Sequence, residues 1–172
     1  VLSGYAVSAA HLGEPDFGIM TQTEILDVAR RICRVIQVPL IVDGDTGHGG
    51  ALNVQHMVKE LIRLGASGII LEDQVWPKRC GHMRDKSVIP MEEHMQKIRA
   101  AVDAREGNDR PFIITARTDA RGPLGLDEAI RRGIAYKEAG ADVIFVEAPQ
   151  SKDELKEIST QIPGIKTINH IE

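Results

Sequence analysis

The sequence predicts an α/β fold on a parallel β-sheet, of the (β/α)8 TIM-type barrel class. Two observations predict it. Short apolar runs alternate with segments of helical periodicity along the 172 residues, an order typical of parallel strands with right-handed crossovers. Residues able to carry chemistry follow every apolar run, as they do at the carboxyl ends of barrel strands. A doubly wound sheet is the alternative, but it would gather its chemistry at one switch point.

The predicted strands are continuous apolar runs, which suit strands buried on both faces. They cover residues 39–42, 68–71, 111–116, 143–146 and 165–168. Residues 1–4 have the pattern of the tail of a preceding strand. The run from Ser3 to Gly18 is rich in small residues and predicts a loop.

The predicted helices lie between these strands and cover residues 21–36, 53–64, 90–104, 127–139 and 151–161. Thr21 and Glu24 have the spacing of a capping box, and Ser151 and Glu154 repeat it. Gly65 follows the second helix at the position where glycine favours a helix end.

Five strands and one strand tail make about six of the eight strands of a barrel, and a whole barrel typically needs roughly 250 residues. We therefore expect one catalytic domain over residues 1–172 that lacks the start of its first strand and the C-terminal strands and helices. A non-catalytic truncated fragment is one alternative that follows from this expectation.

Composition excludes several classes of function. The net charge is −4 and aromatic residues make up 3% of the chain, so neither a basic nucleic-acid face nor a base-stacking platform is expected. No apolar run approaches the roughly 20 residues of a membrane helix. The two cysteines, Cys33 and Cys80, form no disulfide framework, which predicts a reducing, cytoplasmic compartment.

Carboxylates at the predicted strand ends are candidate metal ligands. Asp43 and Asp45 would point to the same side of an extended strand, and Asp16 and Glu72 could join them. An all-oxygen cluster suits Mg²⁺ or Mn²⁺ better than Zn²⁺. The alternative for Asp43 and Asp45 is a role in loop solvation and capping, because aspartate is common in turns.

Two further candidates lie on neighbouring strand ends. Cys80 is flanked by Lys78, Arg79 and His82, and nearby positive charge favours a thiolate that can act as nucleophile or acid/base. Arg117 is suited to two-point binding of a carboxylate or phosphate. Its alternative is a salt bridge to Glu147 or Asp119, and both can hold at once. From residue chemistry alone, this is a metal-dependent enzyme for a small anionic substrate.

Seven short motifs span nearly the whole chain. They are Ser3-Gly4-Tyr5, Gly13-x-Pro15-Asp16, Asp43-Gly44-Asp45-Thr46-Gly47, Glu72-Asp73-Gln74, Lys78-Arg79-Cys80-Gly81-His82, Ala116-Arg117-Thr118-Asp119-Ala120 and Glu147-Ala148-Pro149. In combination they resemble the isocitrate lyase / phosphoenolpyruvate mutase superfamily. The resemblance implies a (β/α)8 barrel, a homotetramer and a small carboxylate substrate.

The resemblance also implies roles for individual residues. Asp43 would bind Mg²⁺, with Asp16, Asp45 and Glu72 acting largely through water. Ser3, Gly4, Tyr5 and Arg117 would bind the substrate's 2-oxo-carboxylate end, and Asn169 would help at the next strand end. Asp43, Gly81 and His82 complete the implied substrate-binding set. Lys78, His82 and Glu147 would assist catalysis around Cys80.

The implied reaction is carbon–carbon cleavage of a 2-hydroxy di- or tricarboxylate to a 2-oxo acid and a carboxylate. Cys80 would protonate the enediolate that leaves. Tyr5 and Trp76-Pro77 resemble the dimethylmalate lyase / oxaloacetate hydrolase branch more than the methylisocitrate lyases, so 2-alkylmalates are the expected substrates, with oxaloacetate hydrolysis beside them. The alternative activity is that of a carboxyphosphonoenolpyruvate or phosphoenolpyruvate phosphonomutase, and such phosphonate-forming mutases typically lack this cysteine.

Overall fold

A computed structural model describes residues 1–81, 83 and 85–167. Five strands form one parallel sheet in the order in which they occur along the chain. They are β1 (Ile41–Asp43), β2 (Gly68–Glu72), β3 (Ile113–Thr118), β4 (Val143–Val146) and β5 (Ile165–Thr167). Leu2 pairs in parallel with Val42 beside β1 through an isolated bridge.

Helices alternate with these strands, as the sequence predicts. They are α1 (Gly4–Val7), α2 (Gln22–Cys33), α3 (Ala51–Leu64), α4 (Met91–Arg105), α5 (Arg121–Leu124), α6 (Leu126–Glu138) and α7 (Lys152–Gln161). The longer crossover helices pack against one another in sequence order, α2 on α3, α3 on α4, α4 on α6 and α6 on α7. Sequential strands covered by one row of helices are the arrangement of a TIM-type barrel, whereas a doubly wound sheet carries helices on both faces.

The loop prediction for residues 3–18 is wrong in its first part. α1 and a π-helical turn, Ser8–Leu12, occupy this segment. Its glycines lie at the ends, at Gly4 and Gly13, while Ala6 to Ala10 between them are small residues that a helix accepts. The Ser8 hydroxyl donates to the carbonyls of Glu14 and Pro15 at 3.0 and 3.1 Å, and this fixes the chain that leads to Asp16.

The two predicted capping boxes have different outcomes. At α2 the Thr21 hydroxyl accepts from the Glu24 amide, and the Glu24 carboxylate accepts from the Thr21 amide at 2.7 Å, which confirms the first. At α7 the Ser151 hydroxyl accepts from the Glu154 amide. The Glu154 carboxylate, however, accepts from the amide of Gln150, so only half of the second box forms.

The core lies between the sheet and the helix layer. Ile69 and Leu71 of β2 and Ile114 of β3 are fully buried against α2 to α4, and Ile144 of β4 is fully buried against α6 and α7. Strands buried on both faces explain the continuous apolar runs in the sequence. No helix within the described part of the chain is long and apolar enough to cross a membrane.

Candidate active site

A cavity of about 400 Å³ opens at the carboxyl ends of the strands. Its walls bring together ten of the residues that the sequence singles out: Ser3, Tyr5, Asp16, Asp43, Glu72, Lys78, Cys80, Gly81, Arg117 and Glu147. Gly4 and Asp45 lie directly behind this wall, in contact with Asp43. The predicted roles of His82 and Asn169 fall outside the described residues.

Asp43 ends β1 and is held by two backbone amides. Its carboxylate accepts hydrogen bonds from Gly4 N and from Asp45 N, each at 3.1 Å. A side chain at Gly4 would place its Cβ 3.0 Å from Asp45 Oδ1 and 3.3 Å from Asp43 Oδ2, so these carboxylates would have to shift to accept it. The two aspartates therefore converge, but not by strand alternation, because the chain has left the strand at Asp45, whose φ is +48°.

Lys78 lies among these acids. Its ammonium is 2.5 Å from Asp16 Oδ1 and 2.8 Å from Asp45 Oδ1, and all three side chains are buried. Burial, reinforced by Asp43, raises the pKa of Asp45 to about 7, and Lys78 opposes that rise. Burial alone would lower the pKa of Lys78. The nearby carboxylates of Asp45 and Glu72 outweigh burial and raise that pKa above its ordinary value. Lys78 is therefore a fixed cation that stabilises the acid cluster.

Arg117, from β3, is oriented mainly by Asp119. Its Nε and Nη2 atoms donate to the two oxygens of Asp119 at 2.9 Å each, and its guanidinium lies 3.5 Å from Glu72 and 3.7 Å from Glu147. Burial opposes its charge, but these carboxylates outweigh burial and raise the pKa of the guanidinium well above its ordinary value. The predicted salt bridges to Asp119 and Glu147 are both present, and Arg117 also lines the cavity.

The cysteine loop reaches over the cavity from β2. Gln74 fixes its start, because its side-chain amide accepts from Arg79 N at 3.0 Å and donates to Arg79 O at 2.9 Å. The same amide donates to Glu72 at 3.0 Å. This places the half-buried thiol of Cys80 and the backbone of Gly81 on the cavity wall.

Three residues around the site carry contacts that the sequence does not predict. They are Gln74, Lys86, which pairs with Asp119 at 2.9 Å, and Asp73. The fully buried Asp73 carboxylate accepts from Thr118 Oγ1, from Asp119 N, and from Arg132 and Tyr136 of α6. Asp73 is thus a structural anchor behind the site, although it belongs to the motif that contains Glu72.

Among the described residues around the cavity, carboxyl groups outnumber cations: Asp16, Asp43, Asp45, Glu72 and Glu147 against Lys78 and Arg117. Asp45 Oδ2 and Glu147 Oε2 are buried and accept no hydrogen bond from the described residues. Burial raises the pKa of Glu72 well above its ordinary value, with Arg117 opposing the rise. Such unbalanced oxygens fit a hard cation.

Direct coordination by several side chains is a separate matter. Within residues 1–81, 83 and 85–167, no three carboxylate, imidazole or thiol groups converge closely enough to hold a metal between them.

A row of parallel strands whose carboxyl ends gather acids, an arginine and a thiol around one cavity defines an α/β enzyme of the TIM-barrel class. The chain belongs to the phosphoenolpyruvate phosphomutase family, whose model matches residues 1–171. The predicted membership of the isocitrate lyase / phosphoenolpyruvate mutase superfamily is thereby confirmed.

Curated relatives match along almost the whole chain. The petal death protein of Dianthus caryophyllus is 57% identical over 172 residues, which are 99% of this chain and 54% of the relative. The 2,3-dimethylmalate lyase of Eubacterium barkeri is 50% identical over 171 residues, 99% of this chain and 58% of that enzyme. The chain therefore spans little more than half the length of these relatives.

Solved structures share the fold. An oxaloacetate acetylhydrolase in complex with the inhibitor 3,3-difluorooxalacetate superposes with a TM-score of 0.94 at 37% identity, over 99% of this chain and 58% of that one. A phosphonopyruvate hydrolase in complex with oxalate and Mg²⁺ superposes with a TM-score of 0.80 at 36% identity, over 96% of this chain and 56% of that one. One of these curated relatives is thus named a lyase, and both of these solved structures are of proteins named hydrolases.

Proposed function

We propose that the whole protein is a Mg²⁺-dependent carbon–carbon lyase that cleaves a 2-alkylmalate to a 2-oxo acid and a carboxylate, and that it also hydrolyses oxaloacetate. One observation carries the proposal. A single cavity is lined by a thiol, an arginine and a cluster of carboxyl groups that outnumber the cations beside them. The 2,3-dimethylmalate lyase and the oxaloacetate acetylhydrolase named above support the substrate class.

The acid cluster supplies the place for the metal. Asp43 would bind Mg²⁺ directly, and Asp16, Asp45 and Glu72 would act through water, as the charge imbalance and the Mg²⁺ in the phosphonopyruvate hydrolase support. When bound, Mg²⁺ stabilises negative charge on the substrate's carboxylate and hydroxyl oxygens. Mn²⁺ has the same ligand preference and would substitute for it.

Arg117 binds the carboxylate of the half of the substrate that becomes the 2-oxo acid. Because Asp119 fixes two of its nitrogens, the guanidinium is oriented before the substrate arrives, which lowers the cost of binding. The segment Ser3-Gly4-Tyr5 would meet the same end of the substrate from the opposite wall, with Gly81 closing the cavity above it.

Glu147 is the base in this proposal. Among the carboxylates on the cavity wall, it has a buried oxygen, Oε2, that accepts no hydrogen bond from the described residues. It would take the proton of the substrate hydroxyl. The carbon–carbon bond then breaks, the hydroxyl carbon becomes the carbonyl of the 2-oxo acid, and the bonding electrons remain on the leaving carboxylate as an enediolate.

Cys80 ends the reaction by donating its thiol proton to the carbon of that enediolate. The thiolate regains a proton, and the proton on Glu147 leaves with water when the products depart. His82 would assist beside Cys80, as the sequence resemblance implies. Lys78 acts indirectly, by holding Asp16 and Asp45 in place.

A substrate panel tests the proposal. The whole protein is assayed with Mg²⁺ on malate, 2-alkylmalates, 2,3-dimethylmalate, methylisocitrate and oxaloacetate, with 2-oxo acid and oxalate as the products measured. Release of a 2-oxo acid from at least one 2-alkylmalate is the expected result. Conversion of phosphoenolpyruvate to a phosphonate, with no product from any member of the panel, would instead establish the phosphonomutase.

We further propose that the whole protein is a homotetramer of the cytoplasm. Val35, Val38 and Leu52 are large apolar residues that the described chain leaves exposed, and Cys33 and Cys80 are free thiols. Light scattering on the purified protein checks the assembly, and a monomer at micromolar concentration would contradict it.

A further inference from the structure

A second cavity, of about 640 Å³, lies beside the active-site cavity. It is lined by the segments that follow β1 and β2, by the start of α2 and by α4. Among the described residues, none lines both cavities. Its volume is in the range of small-molecule binding sites, and the proposed reaction does not use it.

Lys97, on α4, supplies a buried positive charge to this second cavity. Its ammonium donates to Thr46 O at 3.0 Å, and the residue is 5% exposed. An ammonium has three hydrogens to donate, and in the described part of the chain Lys97 makes no other hydrogen bond. Burial lowers the pKa of Lys97, and Glu93 opposes that effect from an exposed position on the same wall. An anion in the cavity would compensate the buried charge and accept from the remaining hydrogens.

His48 supplies a second polar atom. Its Nε2 is buried and has no hydrogen-bond partner among the described residues. Burial lowers the pKa of His48 to about 4, although Asp43 opposes the change, so the imidazole is neutral at pH 7 and can carry its proton on Nε2. Lys97 holds the carbonyl of Thr46, two residues before His48. One wall therefore offers two donors, which suit the two oxygens of a carboxylate.

The rest of the wall is largely apolar. Ile19 and Trp76 line the cavity and are 52% and 42% exposed, whereas Met20 and Ile89 lie deeper and are buried. The indole ring of Trp76 lies 5.5 Å from the imidazole ring of His48, measured between centroids. An apolar body attached to a carboxylate at His48 would thus contact the indole, and aromatic rings pair favourably.

We propose that this cavity is a binding site for a small carboxylate with an apolar body, with Lys97 and His48 on the carboxylate and Trp76 on the body. The inference goes beyond the proposed function and does not rest on it. A neutral ligand would leave the ammonium uncompensated. Inorganic phosphate would bury more oxygens than the two donors satisfy, and it would leave the apolar wall unused.

Benzoate is the probe for this site. Isothermal titration calorimetry measures its binding to the whole protein, first alone and then with oxalate and Mg²⁺ in excess to occupy the active site. The affinity is expected to be the same in both titrations. Acetate lacks the ring and benzyl alcohol lacks the charge, so each should bind about tenfold or more weakly than benzoate.

Variants locate the bound benzoate. Lys97→Met removes the charge but keeps the apolar stem, and it should weaken benzoate binding about tenfold or more. Lys137→Met is the matched control, because Lys137 is a half-buried lysine of α6 that donates to Ala141 O at 2.9 Å, and its affinity should stay at the wild-type value. Trp76→Ala should weaken binding about fivefold. Because Trp76 is exposed, this variant decides the matter even if Lys97→Met fails to fold.

Absence of benzoate binding at millimolar concentration would overturn the site. Displacement of benzoate by oxalate, phosphate binding as tight as that of benzoate, or an equal loss in Lys137→Met would do the same. If the substrate panel yields no product while benzoate binding requires Lys97 and Trp76, the proposed function fails and the site stands. If product forms while both variants bind benzoate like wild type, the reverse holds.

Discussion

Replacing Lys78 by Met probes the charge balance of the site most sharply. The ammonium is 4% exposed and forms two ion pairs with buried partners, Asp16 at 2.5 Å and Asp45 at 2.8 Å. Removing one partner from a buried ion pair costs about 3–5 kcal/mol, because the charge that remains has no compensation. For a domain of this size that corresponds to a fall in melting temperature of roughly 6–20 °C.

The second part of the experiment measures how Mg²⁺ changes the melting temperature. A cation that binds the folded state stabilises it by mass action, and a site that has lost a lysine attracts Mg²⁺ more strongly. We therefore expect Mg²⁺ to raise the melting temperature of Lys78→Met by more than it raises that of wild type. Calorimetry with and without Mg²⁺ measures both effects.

Two controls complete this experiment. Lys97→Met removes a buried lysine that contacts a backbone carbonyl, so its response to Mg²⁺ should equal that of wild type. Adding Asp45→Asn to Lys78→Met removes one of the carboxylates that has lost its lysine partner, and this should restore part of the lost stability. A fall in melting temperature below about 2 °C, or the same Mg²⁺ shift in both proteins, would refute this account of the acid cluster.

Three further predictions concern other parts of the structure. Gly81→Ala should reduce kcat/KM about tenfold or more, because the added Cβ would meet Glu147 Oε1 and Arg117 Nη2; a fully active variant would contradict this packing. Glu147→Gln should lower kcat by about 10²–10⁴-fold, as expected for loss of a general base, and kcat measured near wild type would exclude Glu147 from that role. Burial, with help from Lys97 and Arg132, lowers the pKa of His94 to about 3. As the pH falls below about 6.5, His94 becomes protonated in the unfolded state but stays neutral in the folded state. The free energy of unfolding should therefore fall by about 2 kcal/mol between pH 7 and pH 5. Urea denaturation of His94→Leu at both pH values should lack that loss, and an unchanged pH slope would show that His94 is not its source.

Local patterns predicted the fold well. The alternation of apolar runs and amphipathic segments defines strands and helices that are formed mainly by nearby residues. The sequence also predicted that strand ends would gather, which brings Asp43, Glu72, Arg117 and Glu147 to one cavity. This follows from the parallel arrangement, because all carboxyl ends then lie at one edge of the sheet.

Such local patterns do not predict contacts between residues that lie far apart in the sequence. The position of Lys78 between Asp16 and Asp45 depends on how three loops meet in space. Lys86 lies between unremarkable loop residues, and nothing in its spacing indicates the contact with Asp119, 33 residues away. The sequence does not predict the helical turns at residues 4–12, because Gly4 and Gly13 are as typical of a loop as of the ends of a short helix.

The most direct test of the central claim compares wild type with Cys80→Ala on one 2-alkylmalate at saturating Mg²⁺. The wild-type protein should release a 2-oxo acid and a carboxylate in equal amounts. Cys80→Ala should lose about 10²–10⁴-fold in kcat, the usual contribution of a general acid, and should bind oxalate with Mg²⁺ as tightly as wild type. A variant whose kcat stays within tenfold of wild type would contradict the assignment of Cys80 as the proton donor of a carbon–carbon lyase.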